Sequence, residues 1–218
     1  MLTRRSGQTL LELILAIGVI TTATLATTTL IVSTIYNGRV SALRIAAVNF
    51  AREGVEVVRG IRDSNWLKID QNVQKSGALV TWDDDGATTQ KLGGDATNPV
   101  RYYYASFQLA TGLTLSLCPV GNPVGSSPCT SQLVICYNTA GGYYTQKAAG
   151  CSGGDASTNF QRTIKITRKF QATSEADNIN FQGTNLQADY LDVEVTVSSP
   201  NDKVFKSVVT EERLYNWK

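Results

Sequence analysis

Histidine is absent from this chain of 218 residues. The absence removes the most frequent general base in enzymes and the most frequent transition-metal ligand together. None of the cysteines lies in a C-x-x-C pair, so the sequence matches zinc ribbons and thiol redox motifs poorly. The composition therefore predicts a protein that is not an enzyme and that holds no metal and no cofactor.

The chain also lacks a strong charge of either sign, with 20 basic and 18 acidic residues. Two of the basic residues, Arg4 and Arg5, precede the first apolar run, and the rest of the chain carries 18 basic and 18 acidic residues. A neutral body gives no electrostatic reason to expect nucleic acid as a partner.

What the sequence has is a long uncharged run, the 26 residues from Leu13 to Gly38. As a helix this run measures about 39 Å, more than the roughly 30 Å of a bilayer's hydrocarbon core. The short flank that contains two arginines favours a cytoplasmic N-terminus, with the rest of the chain on the other side of the membrane. Two simple interpretations are a cleaved secretory signal and a single-pass anchor.

Glu12 fits neither simple interpretation, because a carboxylate inside an apolar helix costs about 2.5 to 3.5 kcal/mol at the centre of a bilayer. The residues that follow also argue against a signal peptide, since an apolar stripe continues at spacings of three and four residues. A helix with such a stripe packs on a sheet. The stripe comprises Val40, Leu43, Ala47, Phe50, Gly54, Val57 and Ile61.

These features together resemble the type IV pilin and pseudopilin superfamily. The segment RRSGQTLLE, residues 4–12, is similar to its leader and N-terminal methylation motif: a basic leader ending in Gly7, then T-L-x-E with a glutamate at the fifth mature position. The family usually has Phe at the first mature position, where this chain has Gln8. NFAREGVEVVRGIRDSNW, residues 49–66, is similar to the end of the long helix in many minor pilins.

The resemblance implies cleavage between Gly7 and Gln8 by a prepilin peptidase, which exposes a positive amine on Gln8. It also implies that Glu12 pairs with the terminal amine of a neighbouring subunit during assembly. The implied partners are other pilin subunits, the peptidase and an inner-membrane assembly platform. Pairing is physically sound, because an isolated carboxylate and an isolated ammonium are each costly in a medium of low dielectric. The alternative for Glu12 is a side chain that reaches the headgroups or stays protonated.

Beyond Trp66 the apolar period changes to two, which predicts strands. Residues 160–170 and 189–197 alternate in this way, with basic side chains on the outer face of the first strand and acidic ones on that of the second. An antiparallel pairing would set these charges opposite each other. Residues 203–209 are expected to return as a third strand after a turn at 198–202, and residues 78–82 and 100–109 are expected to pair.

The four cysteines lie in a zone rich in Gly, Ser and Pro, which predicts two disulfides if that zone is outside the cell. Three pairings are open, as are four reduced thiols. We favour Cys136 with Cys151, closing a hairpin, and Cys118 with Cys129, closing a loop. WDDDGATT, residues 82–89, has the wrong acid spacing for a calcium loop of the EF-hand type and is interpreted as an acidic surface turn.

The predicted fold is α+β: a long N-terminal helix, half membrane-spanning and half amphipathic, packed on an antiparallel β-sheet head. The predicted divisions are a leader at 1–7, a transmembrane and filament-core helix at 8–37, an amphipathic helix at 38–65 and a head at 66–218. The predicted function is a structural subunit, a minor pilin or pseudopilin, of a pilus-like filament or a related secretion or DNA-uptake machine. The alternative is a membrane-anchored extracytoplasmic binding module that does not polymerise.

Overall fold

The computed structural model describes residues 6–75, 78–85, 91–94, 100–108, 112–117, 134–147, 151, 153–170, 188–202 and 205–216. It has one long helix and an antiparallel sheet, as predicted for an α+β protein. The elements are α1 Ser6–Asp70, β1 Gln74–Lys75, β2 Ala78–Leu79, β3 Val100–Gln108, β4 Gly112–Leu117, β5 Val134–Asn138, β6 Tyr143–Thr145, β7 Asp155–Lys169, β8 Tyr190–Ser198 and β9 Ser207–Tyr215.

The chain divides into two compact units, Met1–Arg44 and Ile45–Lys218. The first unit is helical from Ser6, and the helix continues through Gly38. In the second unit α1 ends at Asp70, five residues beyond the predicted boundary at 65. Asn72, at a φ of 53°, reverses the chain just after the helix.

The 15-residue strand β7 organises the main sheet. Along one edge it pairs with β8, which pairs in turn with β9, and these three strands form the predicted meander. Along the other edge β3 pairs with the C-terminal half of β7 and β5 pairs with its N-terminal half. β4 and β6 extend the sheet beyond β3 and β5.

The centre of the inner face of the meander is apolar and buried, because Ile164 and Ile166 on β7 alternate with outward polar residues, as do Val193 and Val195 on β8. The helix segment from residue 45 covers this face. The predicted stripe is confirmed in this unit, where Ala47, Phe50, Gly54 and Val57 are buried.

The outer face carries the expected opposite charges. Lys165 lies opposite Glu194 in the β7–β8 register, and its Nζ is 2.8 Å from the Glu194 Oε2. The Glu194 hydrogen bond raises the pKa of Lys165 above its usual value. The predicted charge pairing between these strands is therefore confirmed.

Two strand predictions are wrong. The third strand of the meander runs over 207–215 rather than 203–209, because Phe205 turns into the core before the strand begins. The predicted pairing of 78–82 with 100–109 is absent from the described residues: β2 pairs with β1, and β3 pairs with β4 and β7.

β4, β5 and β6 belong to the main sheet. β5 and β6 form a hairpin whose turn includes Gly142 at a φ of 71°.

Candidate assembly helix

The N-terminal part of α1 exposes an almost continuous apolar surface. Its large apolar side chains from Leu10 to Tyr36 are between 52% and 69% exposed within the chain. By length and composition this helix is able to cross a membrane. A surface of this extent requires lipid or another apolar surface to cover it.

Threonines are frequent in this helix, and their hydroxyls return hydrogen bonds to the helix itself. Thr24 Oγ1 donates to the carbonyl oxygen of Ile20 at 3.0 Å, and Thr34 Oγ1 donates to that of Leu30 at 2.8 Å. Thr21, Thr22, Thr27, Thr28 and Thr29 make the same kind of bond. Each of these hydroxyls has a hydrogen-bond partner within the helix. The bonds therefore lower the cost of placing threonine in an apolar environment.

Glu12 is the only charged residue between Leu10 and Gly38, and its side chain is exposed. Gly7 and Gln8 lie in the first turns of the same helix. Gln8 and Glu12 are four residues apart, so both lie on one face of the helix. No described acidic or basic residue lies near enough along this helix to pair with Glu12 through an i,i+3 or i,i+4 contact.

Within the second unit, α1 is tied to the sheet by a buried arginine that sequence reasoning missed. Arg162 on β7 is 1% exposed, and its Nη1 lies 3.3 Å from Glu53 Oε1 and 3.2 Å from the carbonyl oxygen of Phe50. Its Nε donates to Gln146 Oε1 at 3.0 Å. Burial lowers the pKa of Arg162, and the Glu53 carboxylate opposes that change.

Gln146 completes the network. Its Nε2 donates to the carbonyl oxygen of Arg162 at 2.8 Å, and its Oε1 also accepts the backbone N–H of Ala105 at 3.2 Å. The buried amide of Gln146, the residue that follows β6, thus joins β7 to β3. Each buried polar atom named here has a hydrogen-bond partner. The network therefore holds the sheet in a fixed position beneath the helix.

A second tie between helix and sheet is exposed. Arg59 on α1 forms ion pairs with Glu56 on the same helix and with Glu212 on β9. The hydrogen bond to Glu212 is the main reason that the pKa of Arg59 is raised. An ion pair therefore connects the helix to the last strand.

The acidic segment of residues 82–85 is not the surface turn that the sequence predicted. Asp83 is 0% exposed and Asp84 is 7% exposed. Arg168 Nη2 lies 2.7 Å from Asp83 Oδ2, and Lys91 Nζ lies 2.7 Å from Asp84 Oδ1. The prediction failed because two cations from other segments, Arg168 and Lys91, neutralise these carboxylates.

This buried acidic cluster also holds the end of the helix. Asn65 donates from Nδ2 to the carbonyl oxygens of Trp82 and Asp84, at 3.2 and 2.8 Å. In the described part of the chain, no group of three or more His, Cys, Asp or Glu residues is placed to hold a metal ion. The ion pairs of Asp83 and Asp84 hold this segment within the fold.

The predicted disulfide between Cys136 and Cys151 is present, with the two Cα atoms 5.4 Å apart. It joins β5 to the chain that follows β6, which confirms the pairing. A closed loop of this length stabilises the fold by about 3 kcal/mol in the chain-entropy account. Cys118 and Cys129 lie outside the described residues.

Sequence could have located the buried arginines. Arg162 and Arg168 have the same parity along β7 as Ile164 and Ile166, so strict alternation already puts all four on the inner face. Their partners, Asp83 and Gln146, come from segments without a periodic pattern. The strand pattern therefore could not predict these partners.

Comparison with protein-family models, with characterised proteins and with solved structures finds no match to this chain.

Proposed function

We propose that the chain is a structural subunit, a minor pilin or pseudopilin, of a type IV pilus-like filament or of a related secretion or DNA-uptake machine. A prepilin peptidase cuts the precursor after Gly7. The precursor is a single-pass membrane protein with its N-terminus in the cytoplasm and its head outside, and the mature chain enters the filament through its N-terminal helix.

The observation that carries this proposal is a lone carboxylate in an exposed apolar helix. Glu12 is the only charge between Leu10 and Gly38, and none of the described residues covers the apolar side chains around it. A helix that only anchored the protein would insert better with an uncharged residue at this position.

Cleavage after Gly7 supplies the charge that Glu12 needs. The new α-amine on Gln8 is positive at neutral pH, and a neighbouring subunit can bring its Glu12 to that amine. Joining the two charges offsets the desolvation cost of both. Because the pair forms only between chains in one relative position, it also sets the axial register of assembly.

The second unit fits a role in which the head presents a rigid surface. The Arg162 network and the Asp83 cluster connect the helix segment from residue 45 to the sheet through hydrogen bonds between buried polar groups. Such networks rigidify a core. A rigid head offers a fixed surface for contacts with other molecules.

The test uses three variants of the full chain, expressed in cells that have the peptidase and the assembly machinery. Glu12→Gln removes the charge at nearly constant shape, Glu12→Asp retains it, and Glu56→Gln removes an exposed carboxylate from another part of α1. The measurement is the fraction of subunit recovered in sheared filaments, together with the mass of the N-terminus.

We expect Glu12→Gln to lose its leader normally and to fall at least about tenfold in filaments, since one uncompensated charge costs more than 1.4 kcal/mol in low dielectric. Glu12→Asp should retain part of the incorporation, and Glu56→Gln should retain all of it. Incorporation of Glu12→Gln at the wild-type level contradicts the proposal. It would favour an anchored binding module, for which this helix need only be apolar.

A further inference from the structure

The last strand of the sheet, β9, is an edge. In the described part of the chain β9 pairs only with β8, so the backbone groups along its other side have no strand partner there. An open strand edge is a template for a further strand. The side chains of β9 decide which strand fits.

The outer face of β9 carries a short symmetrical pattern. Val209, Glu211, Arg213 and Tyr215 alternate along this face, and all four are exposed. Val209 and Tyr215 are 51% and 53% exposed, so both are available to a partner strand. The pattern is apolar, acidic, basic and apolar, and it complements itself when it is reversed.

We propose that β9 pairs antiparallel with β9 of a second copy of this chain, in the register that sets Glu212 opposite the partner's Glu212. In this register Glu211 lies opposite the partner's Arg213, and Val209 lies opposite the partner's Tyr215. The two-fold relation repeats both contacts, so the interface holds two ion pairs and two apolar pairs. Opposite neighbours of these kinds stabilise antiparallel strands.

Charge selects this register over its neighbours. A shift that centres the pair on Glu211 sets two carboxylates opposite each other on the outer face, and a shift that centres it on Arg213 sets two guanidinium groups opposite each other. Both arrangements are destabilising. An edge strand with charges of one sign would repel a second copy of itself, whereas the alternating charges of β9 allow two copies to pair.

The existing contacts of the charged residues favour the pairing. In the present sheet Glu211 lies opposite Glu194, whose carboxylate is bound by Lys165, and among the described residues Glu211 forms no ion pair. Lys165 also attracts Glu211, and the partner's Arg213 would supply a second cation directly opposite it. Arg213 donates from Nε to Asp192 at 2.8 Å, and a guanidinium has five N–H donors.

The proposed register also brings two Glu212 residues opposite each other on the inner face. Each is bound by Arg59 of its own chain, so each enters the pairing as a neutralised carboxylate. The central position therefore adds little repulsion. Arg59 thus becomes a supporting residue of the interface.

The first test is oxidative crosslinking of the full chain in detergent micelles. Val209→Cys and Tyr215→Cys are made separately. Three samples are oxidised: each variant alone, and an equal mixture of the two. Directly opposite Cβ atoms are within reach of a disulfide, whereas two Val209→Cys residues would lie about 20 Å apart in this register. The wild type, treated with the same oxidant, controls for the native cysteines.

We expect a crosslinked heterodimer in the mixture and little product from either variant alone. Equal crosslinking in all three samples, or none in any, overturns the proposal. Both positions are exposed, so the substitutions do not disturb the core, and circular dichroism checks the fold of each variant.

The second test exchanges charges and measures self-association. Glu211→Lys alone and Arg213→Glu alone each set like charges opposite each other twice, and each should weaken dimerisation by about tenfold. A mixture of the two variants restores both opposite-charge pairs and should dimerise like the wild type. Association that is insensitive to both substitutions, including association through the N-terminal helices, overturns the proposal. These residues are distinct from Gly7 and Glu12, so this test and the filament test fail independently.

Discussion

Gly54 on α1 faces Val195 on β8 so closely that a Cβ atom added to Gly54 would lie 2.9 Å from the Val195 Cγ1. Such an atom would also lie 3.4 Å from the Cδ of the buried Arg162. Glycine at this position lets the helix backbone approach the sheet. The buried arginine reaches the helix backbone at the same place, through its bond to the Phe50 carbonyl.

Substitution of Gly54 by Ala should therefore destabilise the fold, although alanine is the better helix former by about 1 kcal/mol. Val195 is fully buried and cannot move aside freely, so we expect a net loss of about 1 to 3 kcal/mol. Urea unfolding of the full chain in detergent, followed by tryptophan fluorescence, gives the change.

Gly60 is the matched control, since an added Cβ there meets nothing within 4 Å. Gly60→Ala should stabilise the protein by up to about 1 kcal/mol through helix propensity alone. If both substitutions stabilise by similar amounts, the close approach at Gly54 does not constrain the helix.

A second prediction concerns the buried ion pair of Arg168 and Asp83. Both side chains are almost fully buried, and removal of one partner leaves an uncompensated charge. We expect Asp83→Asn to cost about 3 to 5 kcal/mol in the free energy of unfolding. Asp192→Asn, which removes the partner of the half-exposed Arg213, should cost about 1 kcal/mol or less. Equal costs for the two variants would show that the Asp83 cluster is not a buried charge network.

A third prediction concerns pH. The hydroxyl of Tyr103 is buried and accepts the N–H of Gly93 at 3.0 Å, and burial raises the pKa of Tyr103 to about 12. The ordinary tyrosine pKa is about 10, so the folded state holds this proton more tightly than the unfolded state does. The resulting stability is present below about pH 10 and is lost as the pH rises towards 12.

The comparison of wild type with Tyr103→Phe isolates this effect from the other groups that titrate in alkali. Between about pH 9 and about pH 12 the free energy of unfolding, measured with urea, should fall by about 2 to 3 kcal/mol more for the wild type than for the variant. The variant has no proton to release at this position. Parallel losses in the two proteins would place the pKa of Tyr103 near its ordinary value.

The parts of the fold that sequence predicted are those with a clear period. The stripe of α1 and the alternation of β7 and β8 follow from local spacing, and the Lys165–Glu194 pair follows from antiparallel registration of the two strands. Each of these inferences needs only residues within one element or two adjacent ones.

The parts that sequence did not predict depend on contacts between distant segments. The local sequence predicts a polar turn at Asp83, and only the fold brings Arg168, 85 residues away, beside it. The beginning of β9 is displaced because Phe205 packs edge-on against Phe160 in the core, which no local alternation reveals. The partners of Arg162 are equally distant, since Phe50 lies 112 residues before it.

The most direct measurement on the central claim is the N-terminal mass of the protein isolated from cells that have an active prepilin peptidase. The account predicts a mature chain that begins at Gln8, with Glu12 as its fifth residue. A Gly18→Ala variant should be cut at the same place, because an added Cβ there meets nothing within 4 Å. A chain that retains Met1, or one that begins near Thr27 as a secretory signal would leave it, contradicts the account.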